Sequence, residues 1–381
     1  MRIAMLHWAF PPVVGGVETH LEELGAALVR RGHQVAALVG DDSEEQPRSH
    51  RGIAVTGARL MQTRGDADPA ALFDLLRRFA DRHQPDVLHA HNFHYFSERH
   101  AEALARLKDA YGLPVVLTAH NAWHDHLAQR MLGYRGTWDR IIAVSRYLKD
   151  TLAAQGYPEA RIDVVHHGID PARWQVGPPP ADEQPTVFHP ARLSLDKGSL
   201  VLVRALHRIR AHLPTARLLL AGTGAIVDFA SRQAREVAQV RREIRRLRLG
   251  DAVTLRAIPW NEMPGAFRLA HVVTYPSRFD EPFGIAALEG MAAARPVVVT
   301  AVGGMPEFVR DGVDGYVVPP GDEAALADRL LYLLTHPVHA QRMGSAGRER
   351  AQRRFHLREM LEGTLATYER ALTPRRLPLR I

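Results

Sequence analysis

Short apolar runs alternate with helix-periodic segments along almost the whole chain, and this alternation is what most restricts its fold. Arg2–Phe10 (RIAMLHWAF) is followed by a Pro-Pro-Val-Val-Gly-Gly loop. Val17, Leu21, Leu24 and Leu28 then recur at helical spacing, and Gly32 stands where a helix C-cap belongs. His33–Val39 (HQVAALV) reads as a second strand. Strand, loop, helix and strand make a βαβ unit, and hence a parallel sheet. The rhythm continues through Asp86–His91, Pro114–Ala119, Arg140–Val144 and Asp163–His166. Residues 176–185 (VGPPPADEQP) break every periodicity and read as a hinge. Alternation resumes with Thr186–His189, a helix from Ser199, Arg217–Ala221, Ala252–Arg256, His271–Tyr275 and Pro296–Ala301. The expected fold class is α/β: two Rossmann-like domains, 1–180 and 181–355, facing each other across a ligand cleft at the carboxyl ends of their strands.

Length agrees, since 381 residues at ~150 per domain allow two. With 46% hydrophobic and 24% charged residues, disorder, collagen-like repeats and coiled coils are excluded. The absence of cysteine excludes disulfide scaffolds, zinc fingers, thiol catalysis and iron–sulfur sites. MRIAMLHWAFPPVVGG reads as a buried strand rather than a signal peptide, and no apolar stretch approaches the ~18 residues of a membrane span. A cytoplasmic protein is expected. The net charge is 49 − 42 = +7, yet only Lys108, Lys149 and Lys197 are lysines. The excess arginine reads as the codon bias of a GC-rich genome, and nucleic acid is not an expected partner. Residues 235–248 carry six arginines around a Val237, Val240, Ile244 and Leu247 stripe. A charged face over a core stripe is favoured there over a membrane-surface helix.

Chemistry concentrates in 277–290, SRFDEPFGIAALEG. Gly284 is expected to open a helix running to about Ala294, with Glu281 in the entry loop and Glu289 about a turn and a half in. The amides of Gly284 and Ile285 then form an anion site. A carboxylate accepts hydrogen bonds from two hydroxyls of one sugar, so two carboxylates flanking an anion site describe a nucleotide diphosphate sugar. In HPARLSLDKGS (189–199), Arg192 and Lys197 precede another helix start. A cation there makes sense if it shares a bound anion with the helix end.

Arg192 and Lys197, followed at a distance by Glu281 and Glu289, resemble the C-terminal half of retaining GT-B glycosyltransferases of glycosyltransferase family 4. The resemblance covers nearly the whole chain. It takes in Gly15-Gly16, His120-Asn121, IIAVSRYLKD (141–150), HHGID (166–170), the GTG at 222–224 and VGGMPEFVRDGVDGYVVPPGD (302–322). It implies that Arg192 and Lys197 hold the diphosphate and that Phe283, Gly284 and Ile285 line the donor site. Glu289 would take the ribose and Glu281 the transferred sugar, a UDP-sugar being favoured. Gly15 and Gly16 would belong to a loop approaching the phosphates, and His120 would stand by the reacting sugar. The helix 356–372 would cross back to the first domain. The implied activity is a retaining, metal-independent hexosyl transfer without cofactor, with Glu281, His120, Arg192 and Lys197 catalytic. The family more often continues the histidine with aspartate, where this chain has Asn121.

His20, His91, His94, Asn121 and His124 are read as the acceptor wall, and no metal is expected because a third fixed ligand spacing is missing. Gly303-Gly304 with Pro306 and Glu307 reads as a turn and helix start. The favoured acceptor is a small polar molecule such as an aminocyclitol. The alternatives are a cell-envelope glycan or glycolipid acceptor at the membrane surface, or nucleotide-sugar epimerisation on the same fold. A dinucleotide dehydrogenase is disfavoured because no GxGxxG follows the first strand.

Overall fold

A computed structural model describes the chain except residues 14, 42–47, 63–66, 180–183, 223–229 and 374–381. The expected boundary at 180/181 and most of the GTG at 222–224 lie outside the described residues. The chain divides into two compact units, Met1–Gly168 with Leu357–Ile381, and Ile169–His356.

The first unit is built on one sheet of β1 (Arg2–His7), β2 (Gln34–Val39), β3 (Arg48–His50), β4 (Ile53–Gly57), β5 (Val87–His91), β6 (Val115–Ala119), β7 (Arg140–Ala143) and β8 (Ile162–Val164). Their spatial order is β3-β4-β2-β1-β5-β6-β7-β8, parallel except where β3 runs against β4. β1 is central, which is why RIAMLH is nearly continuous in apolar character: a parallel strand covered on both faces has no polar side. The intervening helices have local stops and starts. Asp68 accepts from the amides of Ala70 and Ala71, Ser145 accepts from Leu148, and Gly112 and Gly156 take left-handed positions at two helix ends. The helix Leu357–Leu372 returns to this unit, placing Leu357, Met360, Leu361, Leu365 and Tyr368 in the core that holds Ile3, Met5, Leu21 and Val116.

The second unit has six parallel strands, β9 (Thr186–His189), β10 (Arg217–Gly222), β11 (Val253–Ala257), β12 (Val272–Tyr275), β13 (Val297–Thr300) and β14 (Tyr316–Val318), in the order β11-β10-β9-β12-β13-β14. The Arg-rich helix Ala230–Arg246 inserts Val240 and Ile244 into this unit's core, with Val237 and Leu247 packed alongside. Arg204 and Arg246 both bond the buried Glu243, at 2.7 and 2.8 Å. The apolar stripe is therefore a core contact. Among the described residues no helix is long and apolar enough to cross a membrane.

Candidate functional site

A doubly wound sheet reverses its strand order beside its first strand, and the loops leaving the two strands there diverge to open a crevice. In the second unit the reversal falls between β9 and β12. β9 leads into the Arg192–Lys197 loop and β12 into the Glu281 loop, so the fold delivers distant parts of the chain to one place.

The Lys197 ammonium bonds the Glu281 carboxylate, and the two side chains are only 14% and 12% exposed. It lies 5.5 Å from the ring centres of both Tyr275 and Phe279. Burial works against its charge, but Tyr275 and Glu281 outweigh that cost and hold the ammonium above the ordinary lysine range. Burial, assisted by Glu281, pushes the Tyr275 phenol up to about 12. Lys197 is therefore a fixed cation in a polar crevice. Arg192, which acts electrostatically on Tyr275, is exposed.

Both loops are fastened. The Arg278 amide and the Ser277 hydroxyl donate to the Asp196 carbonyl, at 2.7 and 3.2 Å. Gly198 has φ of 77°, and a Cβ there would overlap the Pro276 carbonyl oxygen, so only glycine allows this approach. On the other side the Gly304 amide donates to the Glu281 carbonyl at 2.8 Å. Gly303, at φ 54°, has no room for a Cβ against the Glu281 backbone. The glycine pair thus shapes the Glu281 loop.

The helix opened by Gly284 spans Ile285–Ala292, slightly shorter than expected, with Gly284 left-handed at φ 97°. The Ala287 and Leu288 amides donate to the Gly284 carbonyl at 3.0 and 3.4 Å, which leaves the amides of Ile285 and Ala286 ahead of the first turn's bonds. Glu289 is 3% exposed, and burial pushes its carboxyl up to about 8, with Arg173 pulling the other way. The Phe283 ring is core, 5.1 Å from that of Phe308. What Phe283 can offer a donor is its backbone, not its ring.

In the first unit the reversal falls between β1 and β5, and histidines fill it. His7 ends β1, His91 ends β5, His120 follows β6, and His20 comes from the helix Gly16–Arg30, whose N-cap is Gly15. His91 Nδ1 lies 3.1 Å from His120 Nε2, and His20 Nδ1 lies 3.0 Å from His167 Nδ1. His7 contacts the His91 carbonyl at 3.2 Å and Glu18 at 3.4 Å. His89 sits between the Tyr368 hydroxyl and the Thr118 hydroxyl, both at 2.6 Å. Burial, reinforced by neighbouring imidazoles, takes His20 and His89 down to about 3 and His91, His120 and His167 well below the usual histidine value. These five imidazoles are neutral at physiological pH.

The expected acceptor wall thus divides. His20, His91 and His120 come together with His89, which shares the strand face of His91 and was expected on the same wall, and with His7 and His167, which the sequence did not single out. His94 is tied to the Asn121 carbonyl at 2.8 Å, and His124 is exposed beside Gln155. Between them Trp123 stacks on Tyr95, with ring centres 3.8 Å apart and planes 8° from parallel. Gly16, on the same side of the sheet, is exposed.

Residues 14–173 match glycosyltransferase family 4, and residues 172–350 match glycosyl transferases group 1. Glycogen synthase of Mycobacterium tuberculosis is 30% identical in an alignment covering 99% of this chain and 97% of that protein. Alpha-maltose-1-phosphate synthase of Mycolicibacterium smegmatis is also 30% identical, over 97% and 99%. Among solved structures, Anabaena HepE in complex with UDP and glucose superposes with a TM-score of 0.79 at 21% identity, covering 97% of this chain and 99% of that one. Sucrose-phosphate synthase of Thermosynechococcus elongatus gives 0.81 at 21% identity, covering 96% and 98%. The two parallel-sheet units, their order in the chain and these likenesses agree: the chain belongs to glycosyltransferase family 4 and is a GT-B glycosyltransferase that takes its sugar from a nucleotide-sugar donor.

Proposed function

We propose that the protein transfers a glucosyl residue from UDP-glucose, with retention at the anomeric carbon, to a hydroxyl of a glucose-containing acceptor such as an α-glucan or glucose 1-phosphate. The observation that carries this reading is the buried Lys197–Glu281 pair at the strand reversal of the second unit, beside the open end of the helix Ile285–Ala292. Lys197 and Arg192 neutralise the diphosphate as it departs, with no need for a metal at that point. In the donor complex the anion takes over the ammonium of Lys197 and frees Glu281 to accept from hydroxyls of the sugar. Glu289 accepts from the ribose. Departure and attack then share one face of the sugar, a course that needs no enzymic nucleophile.

The relatives named above are a glycogen synthase and an alpha-maltose-1-phosphate synthase, and these replace the aminocyclitol expectation with a glucose-type acceptor. HepE, whose complexes hold UDP and UDP-glucose, supports the donor. The Trp123–Tyr95 stack beside Asn121 and His124 supports a pyranose acceptor, because an aromatic face suits the apolar side of a sugar ring.

The test incubates the protein with UDP-glucose, ADP-glucose or GDP-mannose, each against glycogen, glucose 1-phosphate, inositol and an aminocyclitol. Mass spectrometry reads the product, and proton NMR reads the new anomeric linkage. An α-linked glucosyl product from UDP-glucose supports the reading. A β-linkage overturns retention, an aminocyclitol product overturns the acceptor class, and an isomerised donor without acceptor overturns transfer itself.

A further inference from the structure

Three imidazoles of the first unit's cluster stand apart from the rest by their geometry. One nitrogen from each of His20, His91 and His120 lies within 4.8 Å of the other two. The three residues are 8%, 0% and 5% exposed. Each also keeps a buried nitrogen with no hydrogen-bond partner: Nε2 of His20, Nε2 of His91 and Nδ1 of His120. In His91 and His120 these are the far nitrogens: the two rings face each other through His91 Nδ1 and His120 Nε2, at 3.1 Å, while His20 turns its Nδ1 to His167.

We propose that His20, His91 and His120 form a binding site for a divalent cation of the zinc class, with a fourth coordination position open to water or a hydroxyl. The donor set is all imidazole, which suits Zn²⁺, Co²⁺, Ni²⁺ or Cu²⁺ and not the oxygen-seeking Mg²⁺ or Ca²⁺. Tetrahedral zinc with bonds of about 2.0–2.1 Å needs its nitrogens roughly 3.3 Å apart. His91 and His120 already approach to 3.1 Å, so most of the contraction falls to His20, whose ring centre is 4.7 Å from that of His120.

The surroundings fit ligands held from behind. His167 contacts His20 Nδ1, and His7 contacts the His91 backbone while its other nitrogen faces Glu18, the nearby buried carboxylate. An outer partner such as His167 orients a metal-bound imidazole. His89 is not a ligand, because both of its nitrogens are engaged by Tyr368 and Thr118. The third ligand that the sequence spacing lacked is His20, brought from a helix 71 residues before His91 by the parallel crossover.

The test uses the full chain stripped with a chelator and titrated with Co²⁺ and Zn²⁺, without any sugar, so its outcome is independent of the proposed reaction. One equivalent of Co²⁺ should give the intense visible bands of four-coordinate cobalt, and Zn²⁺ should displace it. X-ray absorption of the zinc-loaded protein should count three imidazoles. His20→Gln and His120→Asn should each weaken binding about a hundredfold or more, and the exposed His126→Gln should not change it. If a cluster variant fails to fold, the imidazole count on the wild-type chain decides. Absence of stoichiometric binding by the folded wild-type chain, or a site with fewer than three imidazoles, overturns the proposal.

Discussion

Glu289 ties donor binding to a proton. Its carboxyl is pushed up to about 8 by burial, so in the free protein only about a tenth is ionised at pH 7. Two ribose hydroxyls donating to it favour the carboxylate, so binding a donor should expel the proton. Affinity for UDP-glucose should then rise about tenfold per pH unit below about 8 and level off above it. Between pH 6 and pH 8 the ionised fraction rises from about 0.01 to about 0.5, a gain of about fiftyfold, or roughly 2 kcal/mol. UDP-glucose is the correct ligand, because the terminal phosphate of UDP titrates in the same range and the sugar ester does not. Titration calorimetry at pH 7 in buffers of different ionisation enthalpy should read close to one proton released per donor bound. Glu289→Gln should bind independently of pH and release none. The same group sets a stability slope in the free protein. Its folded value lies above the unfolded value of 4.5, so the folded state binds the extra proton, and stability falls as pH rises from about 4.5 to about 8. Glu289→Gln should remove that fall. PH-independent affinity in the wild-type protein, or the same proton release surviving in Glu289→Gln, refutes the ribose role.

Lys197→Ala and Glu281→Ala should each lower transfer by at least about 10²–10³-fold while circular dichroism stays native; full activity in either sinks the donor site as drawn. Gly303→Ala forces a Cβ into the Glu281 backbone, and should destabilise by about 2–4 kcal/mol in urea unfolding and raise the KM for donor; an unchanged KM would separate the glycine from the site. Arg295 is 3% exposed and donates to the carbonyls of Phe267 at 2.9 Å, Gly177 at 2.5 Å and Arg268 at 3.3 Å. Arg295→Ala leaves buried carbonyls unpaired and should cost about 1–3 kcal/mol, and Arg295→Lys should recover only part of it because lysine lacks the planar fork; equal stability of all three proteins refutes this reading.

Most of the sheet was legible, because strands buried on both faces leave short apolar runs between helical periods. β9 begins and ends where expected, and β1, β5, β6, β10 and β12 differ by a residue or a few at an end. β14 was missed because three residues between Gly315 and Pro319 read as loop. β4 was missed because IAVTG sits in polar surroundings with a short antiparallel neighbour. The prolines at 178–180 look like the boundary because proline breaks any periodicity, yet the chain changes units at Gly168, ahead of them. In the site, Lys197 announced itself as a rare lysine before a helix, and Glu281 by its distance from a helix start. Tyr275 did not, since the last residue of a buried strand carries no periodic signal. The histidine cluster was only half readable. The parallel register sets His91 opposite Thr118, so that His120 follows on the same face, and His20 was expected on that wall, but nothing in local spacing tells that His167 arrives there too.

The helix Leu357–Leu372 has a consequence for synthesis. Tyr368 is fully buried against His89 in the first unit, and Met360 bonds the Gly168 amide through its sulfur at 3.2 Å. The second unit is therefore an insertion in the first, and its two ends meet where Ile169 bridges His356. On the ribosome the inserted unit is complete as soon as its last residues emerge. The unit that began the chain must wait, its core open along the place of the final helix, until the ribosome has passed residue 368. The order of maturation runs against the order of translation, and a chain stopped before residue 357 releases a finished insert in an unfinished host.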